Sequence, residues 1–561
     1  MKNLAPGIVH WWVGPGPAGP PGQLVPRWLF LRALGVIYFS AFDSLLFQIR
    51  GMLGPQGLLP AKAYLEEVAK AVGPARYWYA PTLLWFGSGN HALLALCWIG
   101  LIASVLLLVN FWPRGMLAIC FVCFLSFVAA AQDFSGYQSD GMLLCAGFIS
   151  LFLAPDGVRP RWGAGQAPSR APLFLLRLLW FTIYFESGVA KYFGGDPSWR
   201  DLSAMNEYYQ NGPLPTWIGW YAHQLPRWCH TTTAGVTLCL ELLVPWTLWL
   251  PRRARIFTFF LATFLQMAII LTANYAFLNY LVLALGIFLV DDLFLIQFLP
   301  RGSCKIVREA LQRPWRPWHA NLLAAFEGPQ EKIVLSLSAP TAVNQVTAEQ
   351  EAQAPPTLDF STIFRAIAVW TKVLLLGWLL YAMTFLMLQQ MPAGPPPLPA
   401  KPVVLLEPFR IANSYGLFGR MTWARYEIEF QGSSDGTNWV AYPFRYKPQS
   451  LNEAPGIYAP YQPRFEWNLW FASLGSWREN PFVVRTEQQL LLNNRDVLAF
   501  FRSNPFSNAP PKQTRAVLWQ YWFTDRTTRK ATGQWWKREY RGLYAPVLER
   551  TADGRIFLLE Y

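Results

Sequence analysis

RRARIFTFFLATFLQMAIILTANYAFLNYLVLALGIFLVDD, from Arg252 to Asp292, holds two long apolar runs, about 254–272 and 275–297, joined by Ala273 and Asn274 alone. Each run is near the roughly 20 residues that the hydrocarbon core of a bilayer requires of a helix. Three arginines cluster at the start of the first run and no Lys or Arg lies in the connection, so the pair reads as two antiparallel membrane helices with the arginines on the cytoplasmic side. The same pattern recurs along the chain, at about 28–47, 91–109, 115–132, 140–154, 173–192, 233–250 and 364–388, which gives nine expected spans in all. With the N-terminus inside, the inner loops hold Arg114, then Arg159, Arg161 and Arg170, then Arg252, Arg253 and Arg255, then Arg301, Lys305 and Arg308. The short outer loops 133–139 and 273–274 hold none, which puts everything after residue 390 on the extracytoplasmic side.

The expected organisation is a Pro/Gly-rich lead over 1–27, a helical membrane domain over 28–308, a cytoplasmic linker over 309–363, the last span over 364–390, a stiff Pro-rich spacer over 391–402 and a second domain over 403–561. The lead has no apolar centre, so the first span itself directs insertion. The net charge of +14 invites a nucleic-acid reading. That reading fails, because many of the basic residues sit in inner loops and no nucleic-acid motif accompanies them. Of the seven cysteines, Cys97, Cys120, Cys123, Cys145 and Cys239 lie in spans, Cys304 on the inner side and Cys229 in an outer loop. They make no disulfide framework, and Cys120 and Cys123, one helical turn apart in an apolar run, read as small packing residues.

Past the spacer the pattern changes from apolar runs to alternation. RYEIEF, Arg425 to Phe430, alternates with period two and is followed by a turn with Asp435-Gly436 at its tip, which predicts a hairpin. RAVLWQYWF (515–523) and the terminal GRIFLLEY are further strand candidates, and 486–504 has helical spacing up to Pro505. The expected fold of this part is a β-rich sandwich with helical insertions.

Ionisable and amide side chains inside the membrane cost about 2.5–3.5 kcal/mol each on insertion scales when charged and unpartnered. Asp43, Glu186, Lys191, Glu241, Asn274 and Asn279 all fall in the outer halves of their spans and are expected to share one polar membrane site. The alternative is that Lys191 snorkels to the interface while Glu186 and Glu241 bond to neighbouring helices. Glu186 and Lys191 are about 140° apart on a helix, so each looks to a different partner. The loop after this span, Lys191 to His230, is dense in charge, aromatics, Pro and Gly, and Asp196, Trp199, Arg200, Asp201, His223 and His230 are its candidate functional residues.

Gly188-Val-Ala-Lys191, Asp196-x-x-Trp199-Arg200-Asp201-Leu202, Gly212-Pro213-Leu214-Pro215, Trp220-Tyr221-x-His223-x-Leu225-Pro226 and Glu241-Leu-Leu-Val-Pro245 together resemble the lipase maturation factor family. Asn274-Tyr275-x-Phe277-x-Asn279 with Asp291-Asp292, then Asn413 to Phe418, Phe444-x-Tyr446-Lys447-Pro448, Pro460-x-Gln462-Pro463-Arg464, Trp470-Phe471-Ala472 and Asn504-Pro505-Phe506 extend the resemblance to most of residues 28–525. Where the family loop usually reads His-Tyr-Glu-Thr-Gln-Pro, this chain has Tyr208-Tyr209-Gln210-Asn211-Gly212-Pro213, without the His and the Glu.

The resemblance implies a membrane-embedded folding factor for secreted proteins such as dimeric lipases. Its C-terminal domain would be luminal in the endoplasmic reticulum of an animal, or periplasmic on the inner membrane of a bacterium. A secreted, lipase-like client and membrane lipids are the implied partners, and neither nucleic acid, cofactor nor metal is. The alternative class is a membrane enzyme, distantly similar to vitamin K-dependent carboxylases, that modifies a protein or lipid at the outer leaflet with Lys191 or His223 as base. No serine elbow, Cys/His metal spacing, phosphate loop or dinucleotide fingerprint is present, and no inverted repeat suggests a transporter. For a folding factor the binding surface would be aromatic and basic. From Met391 onward the chain has 21 Lys and Arg against 14 Asp and Glu, and nine Trp. Trp467, Trp470, Trp477, Trp535 and Trp536 are the candidate client anchors, with burial in the domain core as the alternative.

Reporter fusions after residues 115, 165 and 253 are expected to read inside and a fusion after 395 outside. An inside reading at 395 would overturn the orientation.

Overall fold

The computed structural model describes residues 22–300, 302, 304, 307, 309, 360–551 and 553–559. The lead up to residue 21, the linker 310–359 and the loop cations Arg301, Lys305 and Arg308 lie outside the described residues.

The apolar runs form α1 (Leu24–Leu46), then, after a short amphipathic α2 (Ala61–Val72), α3 (Asn90–Leu108), α4 (Pro113–Val128), α5 (Gln138–Leu153), α6 (Arg170–Phe193), α7 (Arg227–Leu242), α8 (Arg252–Thr272), α9 (Leu278–Gly286) and α10 (Phe360–Gln389). Six of these segments are long and apolar enough to cross a membrane, with α7 counted through to Trp249 and α10 from Ile367. The other expected spans are α4 and α5, at 16 residues each, and α9, whose helical stretch to Leu289 is bent by 101° from the following Asp292–Phe298. The protein is an integral membrane protein, with nine apolar segments that are not all of spanning length.

Helix α1 is the centre of the bundle. It packs closely along α3, and a Cβ at Gly35 would come within 3.1 Å of the Leu108 backbone nitrogen, tighter than an ordinary contact, so glycine lets the two helices lie this close. Its first turn is tied to α9's end by Asp292, whose carboxylate accepts from the amides of Leu24 (3.0 Å) and Val25 (2.6 Å). This satisfies orphan N–H groups of a helix start and puts negative charge at the positive end of the dipole. Asp291 beside it pairs with Arg252 at 2.5 Å. At the periphery α8 turns Phe257, Phe260 and Phe264 outward, 68%, 55% and 72% exposed, as a lipid-facing helix must.

The C-terminal domain contains one five-stranded antiparallel sheet in the order β2-β1-β3-β4-β5, built from β1 (Arg425–Ser433), β2 (Val440–Ala441), β3 (Gln513–Phe523), β4 (Trp536–Arg550) and β5 (Ile556–Leu559). This corrects the expected sandwich: no second sheet is present among the described residues. The layer opposite the sheet is helical, formed by α11 (Arg464–Ala472) and α12 (Pro481–Leu491), which bury Phe465, Phe482, Val483 and Leu490 against Ile428, Phe430 and Ala516. The hairpin forms as expected, with Gly436 at φ 80° and the Asp435 carboxylate accepting from the amides of Thr437 and Asn438. The expected helix over 486–504 starts earlier and stops at Leu491, because Asn493 takes a left-handed φ of 52° and Asn494 caps a new short turn, Arg495–Leu498.

Glu487 on α12 is fully buried under the sheet. Burial pushes its pKa well above the usual carboxylate value, with the Ala516 amide pulling the other way. A carboxyl whose folded pKa is raised supplies stability that is fully present below its unfolded value and is lost as pH rises through the folded one. Glu487→Gln should therefore gain on the parent protein between pH 5 and pH 8 in thermal unfolding of the detergent-solubilised chain, and a pH-independent difference would contradict this.

Candidate functional site

The expected polar membrane residues do not collect in one cluster. They are spread along the ends of the helices that meet the C-terminal domain, and three of the six, Glu186, Lys191 and Asn274, bond to that domain's backbone.

Lys191, near the end of α6, is buried and its ammonium donates to both oxygens of Glu241 on α7 (2.9 and 2.7 Å) and to the carbonyl of Leu417 (2.8 Å). An ammonium has three protons, and all three are taken. Glu186, one turn and a half earlier on α6, accepts from the amide of Tyr415 at 2.6 Å, while Ser187 accepts from Leu417 at 3.3 Å. Glu186 and Lys191 thus face different partners, yet both hold the 415–417 strand of backbone. Asn274, between α8 and α9, bridges two loops: its amide donates to Leu214 (3.1 Å) and Gly456 (2.9 Å), and its carbonyl accepts from Tyr458 (2.7 Å) and Ala459 (3.0 Å). Asn279 stays within the bundle, donating to Gln266, which in turn donates to Tyr184. Asp43 is half-buried on α1, near Tyr446 and Tyr461 of the C-terminal domain.

The loop residues divide in two. Asp196 accepts from the amide and hydroxyl of Ser198 and, through its other oxygen, from the amide of Met421 at 2.6 Å. Burial pushes its pKa up, but these bonds and the charge of Arg420 together hold it below the ordinary carboxylate value. Trp199 is buried and donates to Phe418 at 2.9 Å. Arg200 and Asp201 are exposed and bond only locally, to Tyr192 and Ser203. His230 is buried against Tyr209, with ring centroids 5.7 Å apart. His223 packs edge-on to Phe523, and burial, with His230 nearby, pulls its pKa down to about 4, so it is neutral at physiological pH.

A fully buried ion pair that the sequence did not single out also joins the two parts. Arg464 of α11 forms a two-pronged pair with Asp140 of α5 at 2.7 and 2.8 Å, donates to the Phe134 carbonyl at 2.8 Å, and both side chains are fully buried. Its guanidinium also lies over Phe127, 4.8 Å from the ring centroid. Around it, Ser44 of α1 and Gln48 just past its end bond the backbone of Gln462, Ser40 donates to Pro460, and Tyr137 donates to Asn468. Asp140 begins an apolar run and reads there as a boundary residue, while Arg464 lies in a motif whose partner is 324 positions away. A carboxylate alone at the head of a short apolar run was the available signal.

On the opposite flank Arg425 of β1, also fully buried, donates to the carbonyls of Gln210, Gly212 and Pro213 and pairs with Glu427. Asn211 donates to Thr422 and accepts, through its carbonyl, from Trp470. The 208–213 segment is therefore a cradle for the C-terminal domain. Three of the expected client anchors are buried: Trp467 at 7%, Trp470 at 9% and Trp536 at 1% exposure. Trp467 packs on Tyr137 and Tyr275, and Trp536 on Tyr521 and Phe523. They are packing residues and not surface anchors. Trp477 and Trp535 are half-buried, the latter with Arg529 stacked 3.5 Å above it. The loop between α1 and α3, passed over in the sequence reading, joins the same interface, with Arg50 pairing Asp496 at 2.9 Å.

Comparison with known proteins covers both parts. Residues 25–297 match the lipase maturation factor transmembrane domain and 411–546 the lipase maturation factor C-terminal domain. Lipase maturation factor 2 of Gallus gallus is 31% identical over 95% of this chain and 83% of its own length, and that of Homo sapiens 30% identical over 92% and 82%. Lipase maturation factor 1 of Bos taurus is 29% identical over 96% and 94%. No solved structure matches.

Removing one partner of a buried ion pair leaves an uncompensated charge and costs about 3–5 kcal/mol, whereas replacing both with apolar groups is far milder. Arg464→Met and Asp140→Leu should each lower thermal stability strongly in detergent, and the double variant should recover most of the loss. Single variants within about 1 kcal/mol of the parent would show that the pair does not hold the two parts together.

Proposed function

The chain belongs to the lipase maturation factor family, and from that premise we propose that it is a membrane-embedded maturation factor for secreted, lipase-like proteins, holding immature clients against its C-terminal domain on the extracytoplasmic side. The observation that carries this reading is the dense set of bonds that fixes the C-terminal domain onto the helix ends. A surface held rigidly at a membrane loses little freedom when a client binds, so its contacts convert efficiently into affinity. With the arginine distribution taken as orientation, that surface faces the lumen or the periplasm, where secreted proteins fold. Nine apolar segments would then be nine passages, with α4, α5 and the bent α9 shielded by longer neighbours.

The client-facing surface we favour is a ladder of aromatic and guanidinium groups across one face of the sheet. Arg515 lies over Trp439 at 4.0 Å, Arg538 over Trp519 at 4.0 Å, and Trp519 packs on Tyr540 at 5.3 Å. Tyr540 is 49% exposed, and Leu543 and Phe557 continue the exposed apolar surface toward the β5 edge. Trp, Tyr and Arg are the residues that dominate binding hot spots.

The test is co-expression with a secreted lipase, reading active lipase per mole secreted and client recovered with the solubilised protein. Trp519→Ala with Tyr540→Ala should weaken capture by about 1 kcal/mol or more per anchor, while Arg200→Ala, on an exposed loop away from the ladder, should leave it unchanged. Parent-like capture by the ladder variant would remove this surface, and parent-like lipase yield without the protein would remove the maturation role.

A further inference from the structure

Beside the Lys191–Glu241 pair lies a cavity of about 100 Å³. Its walls include Met205 and Tyr209 from the loop after α6, Thr233 and Thr237 of α7, and Leu265 and Ile269 of α8. Most of the polar groups on these walls are engaged, the hydroxyls of Thr237 and Tyr209 being the exceptions. Thr233 donates to the Cys229 carbonyl at 2.8 Å, Thr272 to Ala268 at 2.8 Å, Trp199 to Phe418 at 2.9 Å, and the Lys191 ammonium uses all three protons. What remains for a guest is chiefly apolar surface. Apolar cavities stay dry and take up apolar guests, and one of roughly 150 Å³ accommodates benzene.

One side of this cavity is not closed by helix packing. Although α7 and α8 are consecutive, they meet mainly through Val244–Trp249, at the ends away from the C-terminal domain; nearer that domain α7 packs on α6, and α8 packs on α9 and on the short helix Trp217–His223. The outward residues flanking that gap are apolar and exposed, with Val236 at 48%, Phe264 at 72% and Leu271 at 44%. In an integral membrane protein the medium at such a gap is lipid hydrocarbon. Thr272, on the cavity wall, is the last residue of α8 at its C-terminal-domain end, so the gap lies in the leaflet nearer that domain.

We propose that this cavity is a lateral binding site for the acyl chain of a bilayer glycerolipid, which enters between α7 and α8 and ends beside the Lys191–Glu241 pair. Its size admits the end of one chain and not a headgroup, and Phe418, also on its wall, brings the C-terminal domain into contact with the guest.

The test places the full chain in nanodiscs of phosphatidylcholine in which one acyl chain carries a terminal diazirine, followed by irradiation and mapping of labelled residues by mass. Labels are expected on Met205, Tyr209 and Ile269 as well as on the outward Phe264. Ala268→Trp, which fills the cavity, should reduce the interior labels about fivefold and leave that on Phe264 unchanged, since a packed interior has no room for both groups. Interior labels that persist undiminished in a folded Ala268→Trp protein overturn the proposal. Should that variant fail to fold, the parent protein decides alone: labels confined to outward residues such as Phe264, with none on Met205 or Tyr209, overturn it as well.

Discussion

Two charges buried together, Arg464 and Asp140, set the terms for the rest of the molecule. Neither side chain retains exposure to water, and removing a carboxylate and a guanidinium from solvent costs several kcal/mol per ion even after relaxation. That cost is offset when the two are in contact and further hydrogen bonds take up their remaining polar groups. Here two parallel bonds join them and the Phe134 carbonyl takes a further proton, while the buried Nε–H of Arg464 is left without a partner. Asp140 belongs to a membrane helix and Arg464 to the C-terminal domain, so neither part can reach its low-energy state without the other docked on it.

The same logic extends around the interface. Lys191 and Glu241 neutralise each other and present the remaining ammonium proton to Leu417, Glu186 takes the Tyr415 amide, and Asn274 ties four backbone groups from two loops. Each is a polar group that would be costly in lipid, placed at the helix end where the C-terminal domain supplies its partners. The polar residues of the membrane segments are therefore explained more by what sits on top of the bundle than by a chemical centre inside it. His223, neutral and packed on Phe523, fits that pattern too.

How much of this was legible in the sequence follows from the range of each constraint. Bilayer thickness acts on a contiguous stretch, so the apolar runs and their arginine-rich connections could be read directly. The period of two in RYEIEF and the Asp435-Gly436 tip are also local and marked β1 and its hairpin. Strand β4 escaped because WKREYRGLYAPVLER carries charges on both faces, and its pairing with β3 shifts register more than once, near Gly542 at φ 116°. Burial of Trp467, Trp470 and Trp536 could not be read because an indole serves equally as core and as anchor, and only a fold that brings Tyr137 and Tyr275 beside Trp467 decides between them. The pairing of Asp140 with Arg464 leaves no local trace beyond a lone carboxylate at the head of a short apolar run, because its partner lies 324 positions away.

The 208–213 segment shows why a changed motif need not mean a lost role. In the family this stretch usually carries a His and a Glu, where this chain has Tyr208 and Gln210. Arg425 recognises the carbonyls of Gln210, Gly212 and Pro213, and Trp470 that of Asn211, and carbonyls are the same whatever side chain they carry. The cradle therefore survives substitution so long as the backbone keeps its path. The side chain of Gln210 adds something a carboxylate would not: its carbonyl accepts from Phe523 while its amide donates to Glu207 at 2.6 Å. A Glu at 210 could still accept from Phe523 but would face Glu207 as a like charge in a half-buried site, where repulsion is poorly screened. Gln is thus the residue that satisfies both neighbours in this chain, and what the C-terminal domain requires of the segment is shape and hydrogen-bonding pattern.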